Sequence, residues 1–179
     1  MTKRRFVILD RDGTIILERH YLSDPDQIAL TEGAVSGLTH LASLGFGFII
    51  VTNQSAIARG FFDTDTLDRI HQRLRTMLRS HGIEIEGIYY CPHHPNDGCS
   101  CRKPEPGLLN IAAQEFDFDT SECFVIGDNV CDIELGKRVK AQTILVETGH
   151  GKTVSKCNLT APDYTVANLH EAALIIGNL

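Results

Sequence analysis

Asp10 and Asp12 stand two residues apart in Asp10-Arg11-Asp12-Gly13-Thr14, directly after the apolar run Phe6-Val7-Ile8-Leu9. A chain leaving a strand in this way presents both carboxylates to one site. One carboxylate can attack the phosphorus of a phosphate monoester and form an aspartyl-phosphate. The other can protonate the leaving oxygen and later activate water. Two neighbouring carboxylates repel unless a cation lies between them, and magnesium is typically held by one or two carboxylates, waters and a substrate phosphate. Gly13 permits a tight turn, and Thr14 offers hydroxyl and backbone donors. A bare Asp-x-Asp is most often a solvated turn; the five-residue segment behind an apolar strand is far more specific.

A second cluster runs from Cys91 to Cys101 and holds three cysteines and two histidines in eleven residues. Thiolate and imidazole are the ligands tetrahedral zinc prefers. Cys91, Cys99, Cys101 and either His93 or His94 make a closed set of four, which suits a structural metal. Arg102 and Lys103 follow the last ligand, so fixing Cys101 fixes two cations, the first with a bidentate fork for an anion. Gly127-Asp128 ends another apolar run. Asp132, one turn further, reads either as a partner of a metal site or as an ordinary first-turn acid of a helix. Cys123 and Cys131 read as packing residues, and Cys157 carries no signal.

The elements that must position these groups alternate. Phe6 to Leu9, Phe46 to Val51, Ile88 to Tyr90, Cys123 to Ile126 and Thr143 to Val146 read as strands. Residues 33–44 have helical spacing and Gly45 suits their end. Asp63 and Thr64 can cap a long helix with Leu67, Ile70, Leu74 and Leu78 on one face, ended by Gly82. Further helices are expected over Leu108 to Phe116, near 131–138, and over Asn168 to Ile176. This alternation predicts an α/β fold, Rossmann-like in three layers, with a mostly parallel sheet in one domain over residues 1–179. Ligands of such sheets bind beyond the carboxyl ends of the strands, which is where the polar clusters fall.

The chain has 179 residues, 17 Lys and Arg against 23 Asp and Glu, and 42% apolar residues, the profile of a soluble globular protein. A net charge of −6 argues against nucleic acid as a partner. No run approaches a membrane span or a signal-peptide core, so a cytoplasmic monomer without a membrane partner is expected. In that compartment the six cysteines suit metal ligation and packing better than disulfides.

Asp-x-Asp-Gly-Thr after the first strand resembles the signature of the haloacid dehalogenase superfamily of phosphatases, and the later elements match its order. That resemblance implies Asp10 as nucleophile and Asp12 as general acid/base, with Thr52 and Lys103 holding the phosphoryl group. It implies magnesium on Asp10, Asp128 and the Asp12 backbone carbonyl. It also favours His93 as the fourth zinc ligand, because similar enzymes have Cys-x-His followed by Cys-x-Cys.

A zinc-loop subgroup includes the D-glycero-D-manno-heptose 1,7-bisphosphate phosphatases and the histidinol-phosphate phosphatases. The chain is more similar to the first over nearly its whole length: residues 51–60, 87–95 and 102–107 and the segment ending at Gly149 match. It departs in the five residues between His93 and Cys99, a histidinol-type spacing, and in Asn129, where some relatives have Lys. The resemblance implies a substrate site lined by Glu18, Arg19, His20, Tyr21, Thr52, Asn53, Gln54 and Ser55, with Arg102 selecting the rest of the substrate and Arg59 as a further anion contact or an exposed loop residue. It implies removal of the C7 phosphate, giving a heptose 1-phosphate for surface polysaccharide, and no large cap domain. Readings from other classes are an idle zinc-stabilised binding module and a thiol redox enzyme. The set Asp10, Asp12, Lys103 and Asp128 argues against the first.

Overall fold

β1 (Phe6–Leu9), β2 (Gly47–Asn53), β3 (Gly87–Cys91), β4 (Phe124–Gly127), β5 (Gln142–Val146) and β6 (Tyr164–Val166) form one sheet in the order β3-β2-β1-β4-β5-β6. Every neighbouring pair is parallel. Among the described residues five helices connect them, α1 (Ala34–Ser43), α2 (Thr64–Arg79), α3 (Gly107–Glu115), α4 (Val130–Arg138) and α5 (Gly151–Lys156), and α6 (Leu169–Gly177) follows β6. These elements come from a computed structural model that describes residues 4–179; the basic start, residues 1–3, lies outside the described residues.

The three layers follow from strand alternation. Val7 and Leu9, Phe48 and Ile50, Phe124 and Ile126 face one core with α1, α2 and α6. Phe6 and Ile8, Ile49 and Val51, and Val125 face the other, with Leu108, Leu109 and Ala112 of α3 and Leu135 of α4. Both faces are covered, so the central strands β1 and β4 read as unbroken, fully buried runs.

The expected elements are present within a residue or two, with two exceptions. α2 ends at Arg79 and not at Gly82, which adopts a positive φ of 74° in the following turn. The short α5 and the three-residue edge strand β6 were not predicted. α5 reads Gly-Lys-Thr-Val-Ser-Lys, with little apolar periodicity, and β6 is held by its register against β5. No described helix is long and apolar enough to cross a membrane. The longest connection between elements at the carboxyl edge, residues 10–33, folds back on the sheet, with no inserted cap domain among the described residues.

Candidate active site

The strand order reverses direction at β1, and its carboxyl end lies between those of β2 and β4. Three loops therefore converge from adjacent strands: Asp10 leaves β1, Thr52 closes β2, and Asp128 leaves β4. The Asp10 amide donates to Ile126 O at 3.0 Å, which ties the first loop to β4. The loops enclose a polar cleft of about 230 Å³.

Carboxylate oxygens of Asp10, Asp128 and Asp132 all lie within 4.8 Å of one another. Lys103 Nζ sits among them, 2.6 Å from Asp10 Oδ1, 2.7 Å from Asp132 Oδ1 and 2.6 Å from Val51 O. Burial alone would strip its proton, but Asp10 and Asp132 outweigh burial and push its pKa upward, so Lys103 is a fixed cation. Burial raises Asp10 to about 7, with Asp132 and Asp12 adding to it and Lys103 opposing. Asp128 is raised to about 8 by burial and then by Asp10 and Asp132.

The oxygens are not equivalent. Asp132 Oδ2 accepts from the Asn129 amide at 3.0 Å as a capping box of α4, while its Oδ1 holds Lys103, so both of its oxygens are occupied. Asp132 is thus the first-turn acid of α4, and it also pairs with Lys103 beside Asp10 and Asp128. Asp128 Oδ2 accepts from the His150 amide at 2.7 Å. Asp10 Oδ2 and Asp128 Oδ1 take no hydrogen bond among the described residues. Gly13 (φ 79°) and Gly149 (φ 52°) make room for Asp128, since a Cβ on either would come within 2.3 Å and 2.2 Å of its Oδ2.

Asp12 is clamped from two sides. Gln54 Nε2 donates to Asp12 Oδ2 at 2.8 Å and to Thr52 Oγ1 at 2.9 Å. Arg11, 1% exposed, donates from Nε to Asp12 Oδ2 and from Nη2 to Oδ1, each at 3.0 Å. Asn53 is committed to the Lys103 backbone: its Oδ1 accepts from Lys103 N at 3.0 Å and its Nδ2 donates to Lys103 O at 3.2 Å.

Glu18, His20, Tyr21, Thr52, Asn53, Gln54, Ser55, Arg102 and Lys103 all line the cleft. Arg19 does not; it is exposed outside the lining. Arg59 is likewise exposed and outside the lining. The Thr14 hydroxyl is fully buried without a partner and away from the cleft lining, so it is no donor there. Arg102 Nη1 is buried and unpartnered on the cleft wall. Tyr21, held at φ 60°, stacks on Phe61 with ring centroids 4.5 Å apart and contacts His20, joining the loops after β1 and β2.

Arg11, His71, Phe61 and His150 were not singled out from sequence. His71 had a signal: it lies at the helical spacing of the apolar face of α2, where a polar residue needs a partner. His150 contributes a backbone amide, which any residue supplies.

Beside the cleft, Cys91, His93, Cys99 and Cys101 place their ligand atoms together. Sulfur–sulfur separations are 3.2–3.6 Å, and His93 Nδ1 lies 3.1 Å from Cys101 and 3.5 Å from Cys91. A zinc tetrahedron with bonds of about 2.3 Å to sulfur has edges of roughly 3.8 Å, near these values. His94 is not in the cluster; its amide instead donates to Asp97 Oδ2 at 2.8 Å. The thiols divide the proton load: burial raises Cys91 to about 12, while for Cys99 the effect of burial is outweighed by donated hydrogen bonds that lower it to about 6.

The HAD-hydrolase-like family matches residues 100–172. A D-glycero-beta-D-manno-heptose-1,7-bisphosphate 7-phosphatase of Pasteurella multocida is 34% identical, with 98% of each chain covered. One of Pseudomonas aeruginosa is 39% identical over 86% of this chain and 87% of its own. The crystal structure of a D,D-heptose 1,7-bisphosphate phosphatase from B. bronchiseptica, complexed with magnesium and phosphate, is similar with a TM-score of 0.89 and 32% identity, covering 97% of this chain and 98% of that one. Site geometry, sheet order and these likenesses agree, and the chain belongs to the D-glycero-beta-D-manno-heptose-1,7-bisphosphate 7-phosphatase family of HAD-like hydrolases.

Proposed function

We propose that this single-domain protein removes the C7 phosphate of D-glycero-D-manno-heptose 1,7-bisphosphate. The observation that carries it is the cleft in which Asp10, Asp128 and Lys103 converge on one side and Asp12 is clamped on the other, in a chain of this family. Three carboxylates cluster around one buried ammonium that pairs with Asp10 and Asp132, a donor set short of positive charge. Two of their oxygens are unengaged and belong to Asp10 and Asp128, which fits magnesium on those two residues, with the Asp12 carbonyl as a further ligand. Magnesium, when bound, supplies positive charge for the phosphoryl oxygens and lets both carboxylates ionise.

Asp10 attacks phosphorus as the bond to the C7 oxygen breaks. The Asp12 carboxyl gives its proton to that oxygen, and the alcohol leaves. Asp12, now a carboxylate, takes a proton from water; the water oxygen bonds to phosphorus, the bond to Asp10 breaks, and phosphate is released. Lys103 and Thr52 hold the reacting phosphoryl group. Arg102, with a buried and unpartnered Nη1, takes the distant phosphate. Glu18, His20 and Tyr21 enclose the sugar. The likeness to a magnesium and phosphate complex supports the metal, and the near-tetrahedral donors of Cys91, His93, Cys99 and Cys101 support a structural zinc.

Phosphate release from the heptose bisphosphate and from histidinol phosphate, measured with and without magnesium, tests the proposal. The bisphosphate is expected to have the higher kcat/KM, and Asp10→Asn to abolish turnover. A higher kcat/KM on histidinol phosphate overturns the substrate; an active Asp10→Asn overturns the mechanism.

A further inference from the structure

We propose that His71, on α2, is a positioning residue that locks the Asp12 carboxyl in place by anchoring the far end of Arg11. The inference rests on the acid–base role given to Asp12 above.

Arg11 reaches in two directions. Its Nε and Nη2 grip both oxygens of Asp12, which fixes the plane of the carboxyl group. Its Nη1 meets His71 Nε2 at 3.1 Å. A guanidinium has no lone pair with which to accept, so His71 Nε2 is the acceptor and its ring proton sits on Nδ1. His71 lies on the buried face of α2 with Leu67, Ile70, Leu74 and Leu78. Burial, then the Arg11 charge, keeps its ring neutral, as an acceptor must be.

The logic is that of a lever with two supports. Held only by Asp12, the arginine and the carboxyl could swing together. Held also by a ring packed into a helix in the core, the pair is tied to the scaffold, while Gln54 restrains Asp12 Oδ2 from the loop after β2. A general acid must lie within hydrogen-bond reach of the leaving oxygen, and a displacement of about 1 Å can cost on the order of 100-fold in rate.

A histidine that merely satisfied a buried arginine would affect all substrates equally. A positioning role affects only the step that needs the proton. The experiment is single-turnover release of the alcohol by the magnesium-loaded enzyme in excess, on two esters. The heptose bisphosphate has a poor leaving group that needs protonation; p-nitrophenyl phosphate has a good one that does not.

His71→Leu is expected to slow release from the sugar ester by ~10-fold or more, with the half-saturating enzyme concentration little changed, and release of p-nitrophenol by less than about 2-fold. His71→Gln, whose side-chain oxygen can accept from Arg11, is expected to restore the sugar rate to within about 3-fold. His71→Asn, polar but too short to reach, repeats the ester-selective loss and serves if the leucine variant does not fold. Equal losses on both esters, or a wild-type rate in His71→Asn, overturn the positioning role. Asp12→Asn separates the two readings. If it retains full sugar-ester turnover, the acid–base role itself falls; if it is inactive while the His71 variants are normal, only the inference falls.

Discussion

Magnesium binding to the metal-free protein is expected to release protons and to weaken as pH falls below about 8. Asp10, raised to about 7, and Asp128, raised to about 8, lie far above the ordinary carboxylate range. Burial is the first cause for both, and the remaining carboxylates add to it. The two are coupled, so the protons leave in steps that belong to the pair. The sign follows directly: the cation binds the ionised form, so protons compete with it below these values. Near pH 9 neither proton remains, whereas near pH 6 both sites are largely protonated, and apparent affinity drops by about tenfold per pH unit for each proton displaced. Between pH 9 and pH 6 this amounts to about 10²–10³ in apparent affinity. The assay is calorimetric titration of metal-free protein with magnesium across this range, in two buffers of different ionisation heat. Asp128→Asn should flatten the slope by removing one of the protons. An affinity that changes less than about threefold, or heats identical in both buffers, refutes the argument.

Other perturbations have equally definite outcomes. Cys101→Ser should abolish tight zinc binding, increase the number of titratable thiols, and lower kcat by ~10-fold or more, because Lys103 stands two residues on; metal content, thiol titration and turnover measure this. Gly149→Ala should weaken magnesium binding and destabilise the fold by more than about 1 kcal/mol, since its Cβ would meet Asp128 Oδ2 at 2.2 Å and Gly13 Cα at 2.6 Å. Gly45→Ala, at φ 86° with nothing within 4 Å, should cost only the backbone strain and leave metal affinity alone, as paired unfolding and binding curves would show.

His71, depressed from 6.5 to about 3, is protonated in the unfolded chain at pH values where the folded chain keeps it neutral. Its contribution to stability is therefore complete above 6.5 and is lost as pH falls from there toward about 3. Relative to His71→Gln in saturating magnesium, the wild type should lose up to about 1.4 kcal/mol per pH unit in that window, read from urea unfolding at pH 7.5, 6 and 5.

Sequence alone determined a good deal of this protein. Apolar runs of four to six residues, Phe6 to Leu9 and Phe46 to Val51 among them, identified the central strands, because a sheet covered on both faces favours apolar side chains along the whole strand. The zinc quartet was visible because all four donors fall within eleven residues, and Asp10 and Asp12 because one turn holds both. Tertiary structure decided the rest. Asp132 acquired its role only when Lys103 arrived from β3's loop, 2.7 Å away. Arg11 and His71 meet across sixty positions of sequence, because α2 shares its apolar core with β1. Arg19 left the site, and the Thr14 hydroxyl turned inward, because the path of a loop sets the direction of its side chains. Local patterns record which groups are available and how a segment folds; which distant groups share a low-dielectric pocket is set by parallel strand pairing, and that pairing has no local signature.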